Sequence, residues 1–117
     1  SMHEPINDDY KKVVFDDALP GSISLECAFG ILCNNFTLEK SIDILTRKKD
    51  IFNIEDFPIE IGSKANLTIF NPESNYVFSK KHILSSSKNC AFIGLNMKGV
   101  VYGSINNSKA TLNRLWT

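Results

Sequence analysis

The hydrophobic periodicity of this chain changes once, near Pro58, and that change restricts the folds open to it. Before Pro58, the apolar residues of 24–34 and 38–45 are spaced as they are on buried faces of helices. After Pro58 the spacing moves towards two, as in 66–70 and 99–105, which is typical of half-buried strands. Helices followed by strands, without alternation along the chain, indicate either an α+β arrangement or the end of one architecture joined to another.

Three helices are predicted in the first half. The first covers 24–34, and Ser22 or Ser24 is a candidate N-cap for it. The second begins after Thr37, a favourable N-cap residue. The segment 49–53 is predicted to form a third, short helix.

The second half is predicted to form short strands. Asn71-Pro72 is expected to end the strand at 66–70, because proline cannot donate a hydrogen bond to a sheet. The remaining predicted elements are strands at 76–78, 99–105 and 110–112, and one helical turn over 80–84. Residues 1–22 are polar and rich in turn residues, so we expect a long loop, and such loops often carry function.

Composition argues against several classes of function. Lys plus Arg and Asp plus Glu both number 13, and zero net charge argues against a nucleic-acid-binding protein. No run reaches the roughly 18 apolar residues that cross a bilayer, so we expect no membrane partner and no leader peptide. Cys27, Cys33 and Cys90 are odd in number and contain no CxxC pair, so we expect reduced thiols in a cytoplasmic protein.

Three segments carry recognisable motifs. Residues 84–94, followed by 98–100, are similar to S-K-S-K-N-T-P-F-x-G and K-G-x-V, and residues 61–72 to G-x-x-A-D-L-x-x-F-D-P with Asn in place of both Asp. Residues 15–28 are similar to F-x-x-A-x-x-G followed by G-L-E-T-A. Together, and in their order along the chain, the segments resemble the carboxyl-terminal part of dihydroorotases, a family of metal-dependent cyclic amidohydrolases.

The resemblance implies a fold of two parts. A whole (β/α)₈ TIM barrel needs at least about 200 residues, and 117 residues cannot close one. Residues 1–57 would form the end of the barrel, with the strand-eight loop and terminal helices. Residues 58–117 would supply strands of a small composite β-sandwich. The chain is thus expected to be a carboxyl-terminal fragment whose partner is the remainder of the same amidohydrolase.

The resemblance also implies an activity. Dihydroorotases are zinc-dependent hydrolases that interconvert N-carbamoyl-L-aspartate and dihydroorotate in pyrimidine biosynthesis. Zinc is expected in the full-length family member and not in this chain alone, which lacks a complete metal site. A homodimer is possible, because family members are commonly dimeric.

The family's strand-eight motif, T-D-H-A-P-H, aligns with residues 1–6. In the family its Asp binds metal and acts as general base, and its final His binds the substrate carboxylate. Met2 occupies the Asp position and Ile6 the final His position, and a thioether is a poor zinc ligand that takes no proton at neutral pH. Two explanations stay open: Ser1-Met2 is an expression remnant, or the protein is a catalytically inactive relative with a structural or partner-binding role.

The alignment leaves His3, Pro20 and Gly21 as candidate substrate-binding residues, with no catalytic or metal-binding residue expected in this chain. The structural alternatives are a loop histidine for His3 and an ordinary turn for Pro20-Gly21. Glycine at position 21 would allow close backbone approach to a substrate.

Other notable side chains are predicted to have structural roles. His82 lies in a polar segment and is predicted to be a surface residue. Cys27 and Cys33 are predicted to be small core residues. Lys88 and Asn89 are predicted to fix the loop between the strands through hydrogen bonds to the backbone.

Overall fold

The computed structural model describes residues 2–47, 49 and 51–113, in which two helices precede a three-stranded antiparallel sheet. The elements are α1 (Ala28–Asn35), α2 (Leu38–Thr46), β1 (Asn66–Val77), β2 (Asn96–Asn106) and β3 (Lys109–Leu112). The strand order β1-β2-β3 follows the chain, and both strand pairs are antiparallel. The predicted order of helices followed by strands is therefore confirmed.

Both long helices lie where the sequence predicts them. A single 3₁₀ turn over Leu25–Cys27 leads into α1, and the side chain of Ser24 does not cap it. Thr37 caps α2 as predicted, because its Oγ1 accepts a hydrogen bond from the N–H of Lys40 at 3.3 Å. Neither of these described helices has the length and apolar character needed to cross a membrane.

The prediction of a third helix over 49–53 is wrong. Residues 49 and 51–53 form turns, and Lys48 and Asp50 lie outside the described residues. Asn53 adopts a φ of +50°, which interrupts a right-handed helix. The N–H of Ile54 donates instead to the carbonyl of Lys49 at 2.9 Å and closes a wide turn.

Strand β1 runs through Asn71-Pro72, so the prediction that this pair ends the strand is also wrong. Asn71 pairs with Val100, but the next pair joins Asn75 to Lys98, so β1 contains two more residues than β2 between these points. Pro72 lies in this bulge, where the sheet does not require its missing N–H. The predicted strand at 76–78 is the continuation of β1 as far as Val77.

The core is formed where α1 packs against β2. Its buried members are Ile23, Cys27, Phe78, Ile83 and Met97. Cys27 is fully buried, as predicted, whereas Cys33 is half-buried. These residues come from both parts of the predicted division at residue 57, and the division into two domains stays a prediction.

The chain exposes an unusual amount of apolar surface. Its radius of gyration is 16.4 Å, compared with about 13 Å for a compact domain of this length. Large apolar side chains that are at least two-thirds exposed occur along the chain: Val14, Phe15, Ile51, Phe52, Ile59, Ile61 and Leu84.

Candidate functional site

The candidate residues His3, Pro20 and Gly21 belong to two segments that lie side by side. The N–H of Glu4 donates to the carbonyl of Ser22 at 3.0 Å, which attaches the start of the chain to residues 19–24, here called the Gly21 loop. The structure therefore brings together two segments that the sequence alone placed about 18 residues apart.

Gly21 is required at its position for two reasons. Its φ is +129°, a backbone conformation that residues with a side chain rarely adopt. A Cβ atom at this position would also overlap the Cδ1 atom of Ile6 and lie 3.1 Å from Glu4 Cδ. The side chain that stands at the family's final histidine position thus packs against the Gly21 loop.

Asn89 and Ala91 hold the Gly21 loop from its other side. The Asn89 side-chain amide donates to the carbonyl of Gly21 at 2.8 Å, and the Asn89 backbone carbonyl accepts from the N–H of Ile23 at 2.9 Å. The N–H of Ala91 donates to Ser22 Oγ at 3.1 Å. The predicted role of Asn89 in fixing a loop is confirmed.

Lys88 has the predicted structural role as well. Its ammonium group donates to the carbonyls of Ile83 at 2.8 Å and Ser85 at 2.9 Å. The neighbouring Ser87 hydroxyl donates to the carbonyl of Ile6 at 2.5 Å. The segment around Lys88 is therefore folded on itself and bonded to the start of the chain.

His3 lies at the centre of a half-buried polar cluster with Ser85 and Glu26. Its Nδ1 accepts the backbone N–H groups of Ser24 and Leu25, each at 3.1 Å. Its Nε2 lies 3.3 Å from the Ser85 hydroxyl, and that hydroxyl and the Ser85 N–H both donate to Glu26 Oε1, at 2.5 and 2.8 Å. The His3 and Glu26 side chains are only 16% and 13% exposed.

The direction of these hydrogen bonds determines the tautomer of the His3 ring. Because Nδ1 accepts two backbone donors, the ring proton is on Nε2 and is donated to Ser85, which donates to Glu26. A nucleophilic serine needs the opposite arrangement, in which an unprotonated ring nitrogen accepts the hydroxyl proton. The cluster therefore fixes the 3₁₀ turn that leads into α1 and does not activate Ser85.

The same hydrogen bonds determine the charge of Glu26. Burial is the largest single influence and opposes ionisation, but the side-chain and backbone hydrogen bonds from Ser85 together with the nearby His3 ring outweigh it. The pKa of Glu26 is consequently lowered, and the carboxylate is ionised at neutral pH. Sequence reasoning missed Glu26 and Ser85, which are 59 residues apart, although both fall within the motif segments.

His82 is buried, so its prediction as a surface residue is wrong. The Ser79 N–H donates to His82 Nδ1 at 3.0 Å and turns the ring inwards. There it stacks on Phe78 with ring centroids 5.8 Å apart, and it meets Tyr76 edge-on at 5.2 Å. Burial, and to a smaller extent the charge of Lys81, lowers the pKa of His82.

The buried ring predicts a pH dependence of stability. Below about pH 6.5, the ordinary histidine pKa, the unfolded chain takes up a proton at His82 more readily than the folded chain does. The free energy of unfolding should therefore decrease as the pH is lowered. His82→Gln keeps an acceptor for Ser79 but cannot titrate. We expect urea unfolding at pH 7.5 and 5.5 to show a smaller loss of stability in this variant than in the wild type. Equal losses in the two proteins would contradict the prediction.

A small polar cavity lies beside this histidine. It has a volume of about 50 Å³, and its walls include Glu26, Tyr76 and His82. Glu26 Oε2 is buried without a hydrogen-bond partner among the described residues, and a volume of this size holds a few water molecules. Burial also raises the pKa of Tyr76 to about 12, so the phenol is protonated at neutral pH.

Pro20 and Gly21 line a much larger groove. It has a volume of about 910 Å³, and its lining includes Met2, Glu4 and the Gly21 loop. Its other walls are apolar side chains of the two helices, namely Ile31, Leu32, Ile44 and Leu45. His3 is not among the residues that line this groove. Its ring nitrogens face the N–H groups of Ser24 and Leu25 and the hydroxyl of Ser85.

The described residues do not fit a zinc site. No group of three His, Cys, Asp or Glu side chains among them is close enough together to hold a metal ion. His3 uses Nδ1 for two backbone donors, and Met2, which is 94% exposed, offers only a thioether.

Comparison with known proteins gives one consistent result. No protein-family model matches the chain. The chain is 32% identical over 114 residues to a dihydroorotase of Chlorobaculum tepidum and 31% identical over 114 residues to one of Caldicellulosiruptor saccharolyticus. It is 30% identical over 119 residues to a dihydroorotase of Geotalea daltonii. These matches cover 92%, 92% and 96% of the chain, which spans about a quarter of the length of the curated relatives.

Proposed function

We propose that this chain, related to dihydroorotases over nine-tenths of its length, is the carboxyl-terminal portion of an enzyme with that activity. The reaction is the reversible hydrolysis of the cyclic amide of dihydroorotate to N-carbamoyl-L-aspartate. The observation that carries the proposal is the extent of the similarity. The match to the Chlorobaculum tepidum dihydroorotase covers 92% of the chain, and it therefore includes parts of both the Gly21 loop region and the sheet.

Within that enzyme, the chain supplies one wall of the substrate site. Pro20 and Gly21 line the large groove, and the absence of a side chain at Gly21 would allow a substrate to approach its backbone closely. His3 supports the loop from behind by accepting the N–H groups of Ser24 and Leu25. In this proposal Pro20 and Gly21 contact the substrate, and His3, the third candidate, acts as a positioning residue.

The remainder of the enzyme covers the exposed apolar surface. The relatives are about four times as long as the matched segment, and the groove walls contributed by α1 and α2 are apolar, as expected for helices that pack on a barrel. The zinc ion of the enzyme is held by that remainder, since the described residues do not form a metal site. Three free cysteines favour a cytoplasmic location.

The test is an assay on the longer natural polypeptide that contains this sequence. The expected result is zinc-dependent ring opening of dihydroorotate, monitored through the loss of its ultraviolet absorbance. The 117-residue chain alone should show no turnover. The same polypeptide truncated before this segment should be inactive. Turnover by the isolated chain would refute the proposal. A folded, zinc-loaded polypeptide without turnover would identify a catalytically inactive relative.

A further inference from the structure

Two of the three cysteines meet in the core. The Sγ atoms of Cys27 and Cys90 lie 3.9 Å apart, although the residues are 63 positions apart in the chain. Cys27 is fully buried, and Cys90 is half-buried and packs against the core cluster. In the motifs that the chain resembles both positions are occupied by threonine, so the chain departs from the pattern at two contacting positions with the same residue type.

We propose that Cys27 and Cys90 form a redox-sensitive thiol pair that closes to a disulfide in the presence of a low-molecular-weight disulfide such as oxidised glutathione. An S–S bond is about 2.0 Å long, so the two sulfur atoms need to approach by about 2 Å, a distance that side-chain rotation covers. Cys33, the third cysteine, instead lines a different pocket beside Phe36 and Pro72.

Exposure sets the order of the two steps. Cys90 is the more accessible thiol, so its thiolate attacks the small disulfide first. A mixed disulfide forms, the glutathione S–S bond breaks, and one glutathione leaves and takes up a proton. Cys27 then loses its proton and attacks the Cys90 sulfur, which releases the second glutathione. Two protein thiols are oxidised, and one glutathione disulfide is reduced to two thiols.

The second step is the slow one. Burial, together with the adjacent Cys90 thiol, raises the pKa of Cys27 to about 12. Because only the thiolate reacts, we expect the closing step to become about tenfold faster for each unit increase in pH between 7 and 9.

The bond would act directly on the Gly21 loop. Cys90 lies between Asn89 and Ala91, which bond to the carbonyl of Gly21 and the hydroxyl of Ser22. Cys27 ends the 3₁₀ turn that leads from this loop into α1. A bridge between the two cysteines therefore ties the loop and its clamp together covalently, whether or not the proposed enzymatic function is correct. Disulfides of this kind in cytosolic proteins are usually transient or redox-sensing.

The experiment exposes the 117-residue chain to oxidised glutathione, alkylates the remaining thiols and maps the products by mass spectrometry. We expect one peptide pair joining Cys27 to Cys90, alkylation of Cys33 alone, and a rise in Tm of about 10 °C. Dithiothreitol should reverse both changes. A persistent mixed disulfide on Cys90, a bridge that includes Cys33, or three alkylated thiols would overturn the proposal.

Three variants make the result specific. Cys90→Thr places the motif residue at a half-buried position and should abolish the bridge and the rise in Tm without unfolding the chain. Cys27→Ala, at the buried position of the pair, should also abolish the bridge and the rise in Tm without unfolding the chain. Cys33→Ser is the matched control and should form the bridge as the wild type does. A rise in Tm of Cys90→Thr under oxidation would contradict the assignment.

Discussion

Replacing Phe78 with alanine is expected to lower the free energy of unfolding by about 3–5 kcal/mol. The side chain is fully buried, and it belongs to a core cluster that contains only five buried apolar residues in the described part of the chain. Its ring also stacks on His82. Since small proteins are stable by about 5–15 kcal/mol, this loss is a large fraction of the total, and urea unfolding followed by circular dichroism should measure it.

The matched control is Phe15→Ala. Phe15 is 93% exposed and lies in a 3₁₀ turn of the long amino-terminal loop, so its removal should change the stability of the chain by no more than about 0.5 kcal/mol. The two variants delete the same atoms from a buried and an exposed position. Similar losses in both would mean that the core does not lie where the structure places it.

Replacing Gly21 with alanine is expected to disturb both stability and activity. The added Cβ combines an unfavourable φ of +129° with an overlap against Ile6, which should cost about 1–3 kcal/mol. If the Gly21 loop forms a wall of the substrate site, a displacement of about 1 Å should lower kcat/KM of the full-length enzyme about a hundredfold. Urea unfolding of the chain and dihydroorotate kinetics of the full polypeptide give the two numbers.

Two further variants separate strain from overlap. Gly62 has a φ of +92°, but a Cβ atom added there would meet no other atom within 4 Å, so Gly62→Ala carries the backbone strain without the clash. Adding Ile6→Ala to Gly21→Ala removes the overlap and should restore part of the activity. Equal kinetic losses in Gly21→Ala and Gly62→Ala, with no rescue by the second substitution, would remove Gly21 from the substrate site.

The features of this fold that depend on neighbouring residues could be predicted from the sequence. Thr37 caps α2 through an atom three residues from its partner, and the strand at 99–105 lies within β2. Such features depend on neighbouring residues, which a sequence displays directly. The apolar pattern and the turn residues were therefore sufficient for the order of the elements.

The errors occurred where distant contacts override a local preference. Asn71-Pro72 is a good turn signal, but pairing of β1 with β2 on both sides of it keeps the strand continuous across the bulge. His82 lies in a polar sequence, yet the aromatic rings of β1 and the adjoining Phe78 shield it from water. The cluster around His3 joins residues up to 82 positions apart, and no periodicity shows such a contact.

The bulge in β1 affects how another extended segment can pair with the edge of this sheet. β1 is an outer strand of the described sheet, and an outer strand offers unpaired backbone groups to any extended segment that approaches it. Pro72 contributes no N–H, and Asn71 Oδ1 accepts from the N–H of Glu73 at 3.0 Å, so the edge is interrupted near its middle. An incoming strand would therefore find a regular run of backbone groups only on either side of the bulge.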